Sequence, residues 1–313
     1  MEVDTSWLLS ETSPALQPPK PPRRETMEVK LEWLEEVAPK KRALPPPLPR
    51  EDPSSEPPPS RRSQRPRAPS KKPPAPPPLP QREVRRVVPH EAWVEARVAL
   101  LAKEKELTRL GDELARARRE LPWEAVTERY AFETPRGRAT LGDLFGKRTQ
   151  LVVYHFMFDP TKGAACRVCS FWADNFDGTP IHLAQRDVAF VAVSRAPLAK
   201  IEAFKKRMGW SFDWVSCGEE GRFNRDFQAS FTPREAEHGA VYNYVKQPVG
   251  GRDREAISVF YKDPAGAVFH TYSAYARGVE ALNAAYRVLD LVPKGRDEGA
   301  GGASWVRHHD RYE

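Results

Sequence analysis

Cys166 and Cys169 stand three residues apart in the run Cys166-Arg167-Val168-Cys169. Residues at that spacing share one face of a helix, so the two sulfurs can meet. A thiol at a helix start lies where unpaired backbone N–H groups and the helix dipole favour the thiolate. Such a pair can cycle between dithiol and disulfide. Cys166 would attack a substrate disulfide, and Cys169 would resolve the mixed disulfide. Metal is the competing use. A structural zinc site needs four ligands, and the chain has no second C-x-x-C, so Cys217 and a histidine would have to complete the set. Cu(I) is the other metal reading, with two thiolates and a distant His238 or His270, because soft thiolates select it. No Gly-rich dinucleotide loop is visible, and no cofactor is expected.

Other side chains stand close enough in sequence to take part. His155, inside the strand that precedes the cysteines, is either a hydrogen-bonded core residue or an acid–base group near the thiols. Asp159 is the second candidate base. Arg167 would add positive charge that favours the Cys166 thiolate. Trp172, three residues beyond Cys169, would shape the entrance or pack on the sheet. Cys217 ends an apolar stretch and reads as a small buried residue. Adjacent histidines point apart in most conformations, so His308-His309-Asp310 reads as solvated or as a strap over the domain rather than as a metal site.

The elements that must hold these residues follow from periodicity. Leu151–Phe158 is apolar but for His155 and rich in β-branched and aromatic residues, as a strand buried on both faces reads. A loop over Asp159–Ala165, punctuated by Pro160 and Gly163, leads to a helix from Cys166 to about Gly178. Asp187–Ser194 is a second buried strand, Pro197–Met208 a helix closed by Gly209, and Trp214–Cys217 a short third strand. The stretch 218–254 reads as irregular. Ile257–Tyr261 and Val268–Tyr272 form a hairpin across Asp263-Pro264-Ala265-Gly266. A helix over about Arg277–Leu291 follows. Upstream, Tyr130–Phe132 and Ala139–Leu141 flank a hairpin turn at Pro135-Arg136-Gly137. Before it, Trp93, Leu100, Leu107, Leu114 and Leu121 recur every seven residues between Pro89 and Pro122. That predicts one helix over 90–121, roughly 45 Å long at 1.5 Å per residue. Its narrow stripe suits an arm packed on the domain or on a second copy, giving a homodimer through residues 90–121.

Composition divides the chain before this helix. Of the 32 prolines, 22 fall in the first 80 residues. Residues 1–86 therefore read as a disordered tail with polyproline tracts, and the islands at Trp7 and Trp33 read as a docking helix or a transient one. The net charge of +7 resides there as well, since residues 40–89 hold 13 Lys/Arg against 4 Asp/Glu. The basic balance thus says nothing of a nucleic-acid partner for the folded part. The expected division is a tail over 1–86, an amphipathic helix over 87–122 and a domain over 123–313. Three cysteines are too few for a disulfide scaffold, and no apolar run reaches membrane-spanning length or resembles a leader, so a cytoplasmic location and no membrane partner are expected.

Strand–helix–strand–helix followed by hairpin and helix is the order of a thioredoxin fold, an α/β class with a central mixed sheet flanked by helices. Tyr154–Phe158, the C-x-x-C with Ser170–Gly178, Asp187–Leu198, Lys205–Trp210, Ser258–Asp263, Phe269–Gly278 and the closing Trp305-x-Arg307-x-His309-Asp310-x-Tyr312 together resemble one bacterial thioredoxin-like family. It is catalogued as domain of unknown function 899. The resemblance spans about Pro89 to Glu313 and implies a dithiol–disulfide oxidoreductase acting on a thiol or disulfide substrate with an external reductant. Thioredoxins place a cis-proline just before the hairpin strand. Here Glu255-Ala256 precedes Ile257, so that clasp is absent or built differently. A thiol peroxidase is the alternative enzyme, but peroxiredoxins carry a threonine three residues before the attacking cysteine, where this chain has Gly163. Deleting residues 1–86 is expected to leave the thermal midpoint within a few degrees by scanning calorimetry; a large fall would mean that the Trp7 or Trp33 island docks on the domain.

Overall fold

The computed structural model describes residues 86–313, and the expectations for the Pro-rich tail lie outside them. In chain order, helix α1 (His90–Glu120) precedes strands β1 (Glu124–Ala125), β2 (Ala131–Thr134) and β3 (Gly137–Thr140). Next come α2 (Leu141–Leu144), β4 (Gln150–His155), α3 (Arg167–Ala173), α4 (Thr179–Ala184) and β5 (Val188–Ser194). Helix α5 (Leu198–Met208), β6 (Asp213–Ser216), α6 (Arg222–Asp226), α7 (Pro233–His238), β7 (Ala240–Tyr242) and β8 (Val245–Gln247) follow. The chain continues with β9 (Ala256–Lys262), β10 (Val268–Tyr275), a 3₁₀ turn (Ala276–Leu282) and α8 (Ala284–Leu289).

Strand β4 is paired on both edges. It runs parallel to β5 from Gln150↔Val188 to His155↔Val193, and antiparallel to β9 from Gln150↔Tyr261 to His155↔Ala256. The sheet order β1-β10-β9-β4-β5-β6-β2-β3 therefore contains the expected thioredoxin-like core, β5-β4-β9-β10. The front hairpin β2–β3 joins beyond β6 through Glu133↔Ser216, and β1 extends the opposite edge beside β10. Side chains alternate faces along a strand. Tyr154, Phe156 and Phe158 enter one core with Cys169, Ile201, Phe204 and Trp214, while Leu151 and Val153 enter a second with Val191, Phe223 and Phe260. Both faces are covered, which explains the nearly unbroken apolar run.

Several expectations need correction. The closing helix is broken at Asn283, whose backbone leaves the helical region and whose side-chain oxygen caps α8 by accepting from Tyr286 N at 3.0 Å. The helix after the cysteines ends at Ala173, and Gly178 in a left-handed conformation starts a separate α4. The stretch 218–254 is ordered into α6, α7 and the β7–β8 hairpin. Its Thr232-Pro233-x-Glu235 sequence is a capping box that was legible as a helix start. Helix α1 forms as expected but buries none of its residues along its length; near its end Arg118 lies over the Tyr272 ring at 5.3 Å. Among the described residues, no helix is long and apolar enough to cross a membrane.

The chain's end is a strap. Val306 is buried, the Asp310 carboxylate accepts from Arg207 Nε and Nη2, each at 2.8 Å, and His308 Nε2 donates to the Ala165 carbonyl at 3.0 Å, one residue from Cys166. A second tie lies behind the loop that follows β4. The Arg195 side chain is 1% exposed, donates to both oxygens of Asp253 at 2.7 and 2.8 Å, and donates to the Glu219 carbonyl at 3.0 Å. Gly221 has φ +58°, and a Cβ there would sit 2.3 Å from Arg195 Cδ, so geometry and space both require glycine. Removing one partner of a buried pair leaves the other charge uncompensated. Arg195→Ala is expected to lower stability by about 3–5 kcal/mol in urea titration, against under about 0.5 kcal/mol for an exposed control such as Arg136→Ala.

Candidate active site

The loop returns from β4 so that Cys166 N donates to the Met157 carbonyl at 3.1 Å, which fixes the first cysteine against the end of the central strand. Cys166 is the N-cap of α3, and its sulfur accepts from Cys169 N at 3.5 Å. Ser170 N and Oγ both donate to the Cys166 carbonyl at 2.9 Å. Cys166 is half-buried and Cys169 is 1% exposed, and both are free thiols. The two sulfurs differ sharply in acidity. The hydrogen bond from the Cys169 side chain, helped by the amides of Cys169 and Val168, brings the Cys166 thiol down to about 7 against the opposing effect of burial. Burial, followed by the Cys166 contact, pushes Cys169 well above the ordinary thiol range. Of the two, Cys166 is thus the readier to be a thiolate and Cys169 the one that keeps its proton.

The surrounding candidates separate by face. Tyr154, on the same face as the cysteines, donates its hydroxyl to the Cys169 carbonyl at 3.2 Å. Trp172 also belongs here; its Nε1 donates to the Val279 carbonyl at 3.1 Å, and its ring packs edge-on to Tyr286. It therefore shapes the site and anchors the 3₁₀ turn at once. His155 does not reach the thiols. One residue beyond Tyr154 on a strand, it points into the other core and stacks on Phe223. An amide oxygen can only accept, so His155 Nδ1–H donates to Asn224 Oδ1 at 2.9 Å, and Nε2 accepts from Ser258 Oγ at 2.9 Å. Burial holds this imidazole down at about 4, hence neutral.

Asp159 is also diverted from the expected role. Its Oδ1 accepts from Thr161 N and Oγ1 at 2.8 and 2.7 Å, and its Oδ2 faces Arg195 at 3.4 Å. Burial alone would raise its pKa, but the Thr161 bonds and the Arg195 charge prevail and lower it, so it serves to hold the loop. Arg167 is exposed and its side chain makes no hydrogen bond among the described residues; the lowering of Cys166 comes from Cys169 and backbone amides instead. Cys217 is half-buried and donates to the Ser194 carbonyl at 3.3 Å, and burial raises it to about 12. His238 bonds the Arg234 carbonyl on α7, and His270 bonds Ser273 Oγ at 2.8 Å, so neither is held beside the thiols. Among the described residues, no group of three His, Cys, Asp or Glu side chains could hold a metal ion.

A residue missed by sequence reasoning faces the dithiol. A cavity of about 190 Å³ beside Cys169 is lined by Tyr154, Val168, Trp172, Glu255, Arg277 and Glu280, among others. Glu255 stands immediately before β9, and the missing proline there was the available signal. Burial raises its carboxyl pKa, and its charge in turn raises both thiols.

The family described as "Bacterial protein of unknown function (DUF899)" matches residues 82–312. None of the curated proteins matches the chain. Among solved structures, a mutant of PrxQ from Xylella fastidiosa is 14% identical, with a TM-score of 0.34, covering 53% of this chain and 95% of that one. Peroxidoxin BcpB from Mycobacterium tuberculosis is 14% identical, with a TM-score of 0.35 and coverages of 54% and 97%. The reduced Plasmodium vivax 2-Cys peroxiredoxin is 15% identical, with a TM-score of 0.34 and coverages of 53% and 93%. At such identities and scores, no activity is carried over from them.

The acidity of Cys166 gives a direct test. A thiol lowered from 9.0 to about 7 is about half thiolate at neutral pH, against about 1% for an unshifted one. Alkylation of Cys166 by iodoacetamide is expected to rise through pH 6–8 with a midpoint near 7, while native Cys169 stays unlabelled. In Cys169→Ala, which removes the largest lowering contact, the midpoint is expected to move upward.

Proposed function

Because the chain belongs to the bacterial DUF899 family, over residues 82–312, whose function its description leaves open, we propose on the strength of its own site that it is a thiol–disulfide oxidoreductase. The observation that carries this reading is the asymmetry of one dithiol: a half-buried, acidified Cys166 beside a buried, proton-retaining Cys169. In the reaction, the Cys166 thiolate attacks one sulfur of a substrate disulfide, forms a mixed disulfide and expels the other half as a thiolate. Cys169 then loses its proton, attacks Cys166 Sγ and expels the remaining half. Two electrons pass from the dithiol to the substrate, and a thiol reductant restores the pair.

The hydrogen-bonded strand end and the strap keep the attacking sulfur in place while the buried partner waits for a disulfide to resolve. The thiol-peroxidase alternative gains no support from the loop, where Gly163 presents no hydroxyl to a peroxide. The two cysteines have separable roles, and variants expose them. Cys169→Ser is expected to accumulate lasting mixed disulfides with partners in a non-reducing pull-down, because nothing resolves them. Cys166→Ser is expected to trap at least about tenfold fewer. Equal trapping, or trapping by Cys166→Ser alone, would reverse the assignment of attack and resolution.

A further inference from the structure

The cavity beside Cys169 says something about the substrate, granted the dithiol reading above. Its volume of about 190 Å³ is below the ~300–1,000 Å³ of pockets that enclose drug-sized ligands. It suits a group of a few heavy atoms. The rings of Tyr154 and Trp172 supply apolar walls, and Cys169 lines it beside Cys166, the attacking thiol of the dithiol reading.

The charges around the cavity do not cancel. Glu280 is compensated twice, by Arg277 Nε and by Arg296 Nη1, each at 3.2 Å. Arg277, which also lines the cavity, is thereby engaged. The carboxylate of Glu255 accepts from its own backbone N–H but makes no other hydrogen bond or ion pair among the described residues. The neighbouring Arg254 favours the ionised form of Glu255 through space but makes no ion pair with it; its guanidinium lies over the Tyr242 ring, 6.0 Å from the centroid. One acidic group thus faces the dithiol with no ion-pair partner in direct contact among the described residues, in a place where burial penalises its ionised form.

A ligand cation would remove that penalty by pairing with the carboxylate, whereas a ligand anion would meet a desolvated like charge. We propose that this cavity receives the organic half of a small, positively charged disulfide, and that Glu255 sets the preference. The substrate class is then a low-molecular-weight amino-disulfide. Its sulfur bonds to Cys166 while its ammonium group lies against Glu255. The electron count is that of the dithiol cycle: two thiols become one disulfide, and one substrate disulfide becomes two thiols.

The test uses the full chain, fully reduced, in single-turnover oxidation followed by acid quench and thiol counting. Three disulfides of similar size serve as probes: cystamine (dicationic), bis(2-hydroxyethyl) disulfide (neutral) and dithiodiglycolate (dianionic). Each rate is divided by the rate of the same disulfide with dithiothreitol, which removes intrinsic reactivity. The expected order is cationic, neutral, anionic, with at least about a tenfold span that shrinks several-fold in Glu255→Gln. A span within about twofold, or one unchanged in Glu255→Gln, overturns the proposal. Should Glu255→Gln fail to fold, the wild-type span must fall as ionic strength rises from about 0.01 to 1 M, and a constant span overturns it. Absence of oxidation by all three probes would instead overturn the dithiol reading on which the inference rests.

Discussion

The main-chain pairing of β4 on both edges, parallel to β5 and antiparallel to β9, is the constraint on which both layers of the molecule depend. A strand held in that way cannot slip by one residue without exchanging every side chain between the two cores. Its alternation therefore fixes where Tyr154 and His155 point. It also fixes the Met157 carbonyl, which receives the Cys166 amide at the strand's end. The dithiol is in effect the continuation of the central strand, and its geometry is inherited from the sheet.

That inheritance makes the two thiols unequal. Cys166 caps a helix and gains hydrogen bonds to its sulfur, while Cys169, one turn on, is sealed under Tyr154 and Trp172. A single burial gradient across three residues thus separates the acidified thiol from the one that keeps its proton. The C-terminal strap reinforces it, because His308 is tied to Ala165 and Trp305 meets Phe171 on the cysteine helix at 5.5 Å. Unfastening the chain's end would loosen the residue next to Cys166.

The opposite core arranges its polar groups differently. From Asn224 a chain of hydrogen bonds runs through His155, Ser258 and Ser273 to His270. With Asn224 Oδ1 accepting, every donor in the series has an acceptor, and His270 Nε2–H starts it from the far side. Fully satisfied buried networks favour one arrangement of the strands that carry them, because any slip leaves several desolvated groups unpaired. Arg195 and Asp253 do the same for the loops at the edge of the site, since the pair gathers segments far apart in sequence around one buried cation.

The sequence by itself determined the central strand, the two-cysteine spacing, the order of the core elements and the heptad helix. Each rests on local information: apolar runs, period and punctuation by proline or glycine. It also marked the unusual residues before Ile257. Other features were decided only by tertiary structure. The histidine of the central strand went to the far face because a strand has two faces, and only packing says which one meets the cysteines. Asp159 and Arg195 found each other across 36 residues, a pairing that no local pattern encodes. The closing helix broke because Asn283 caps better than it continues. Glu255 became part of the site because β9 lies beside β4, where a residue far down the chain is brought against the dithiol by sheet order alone.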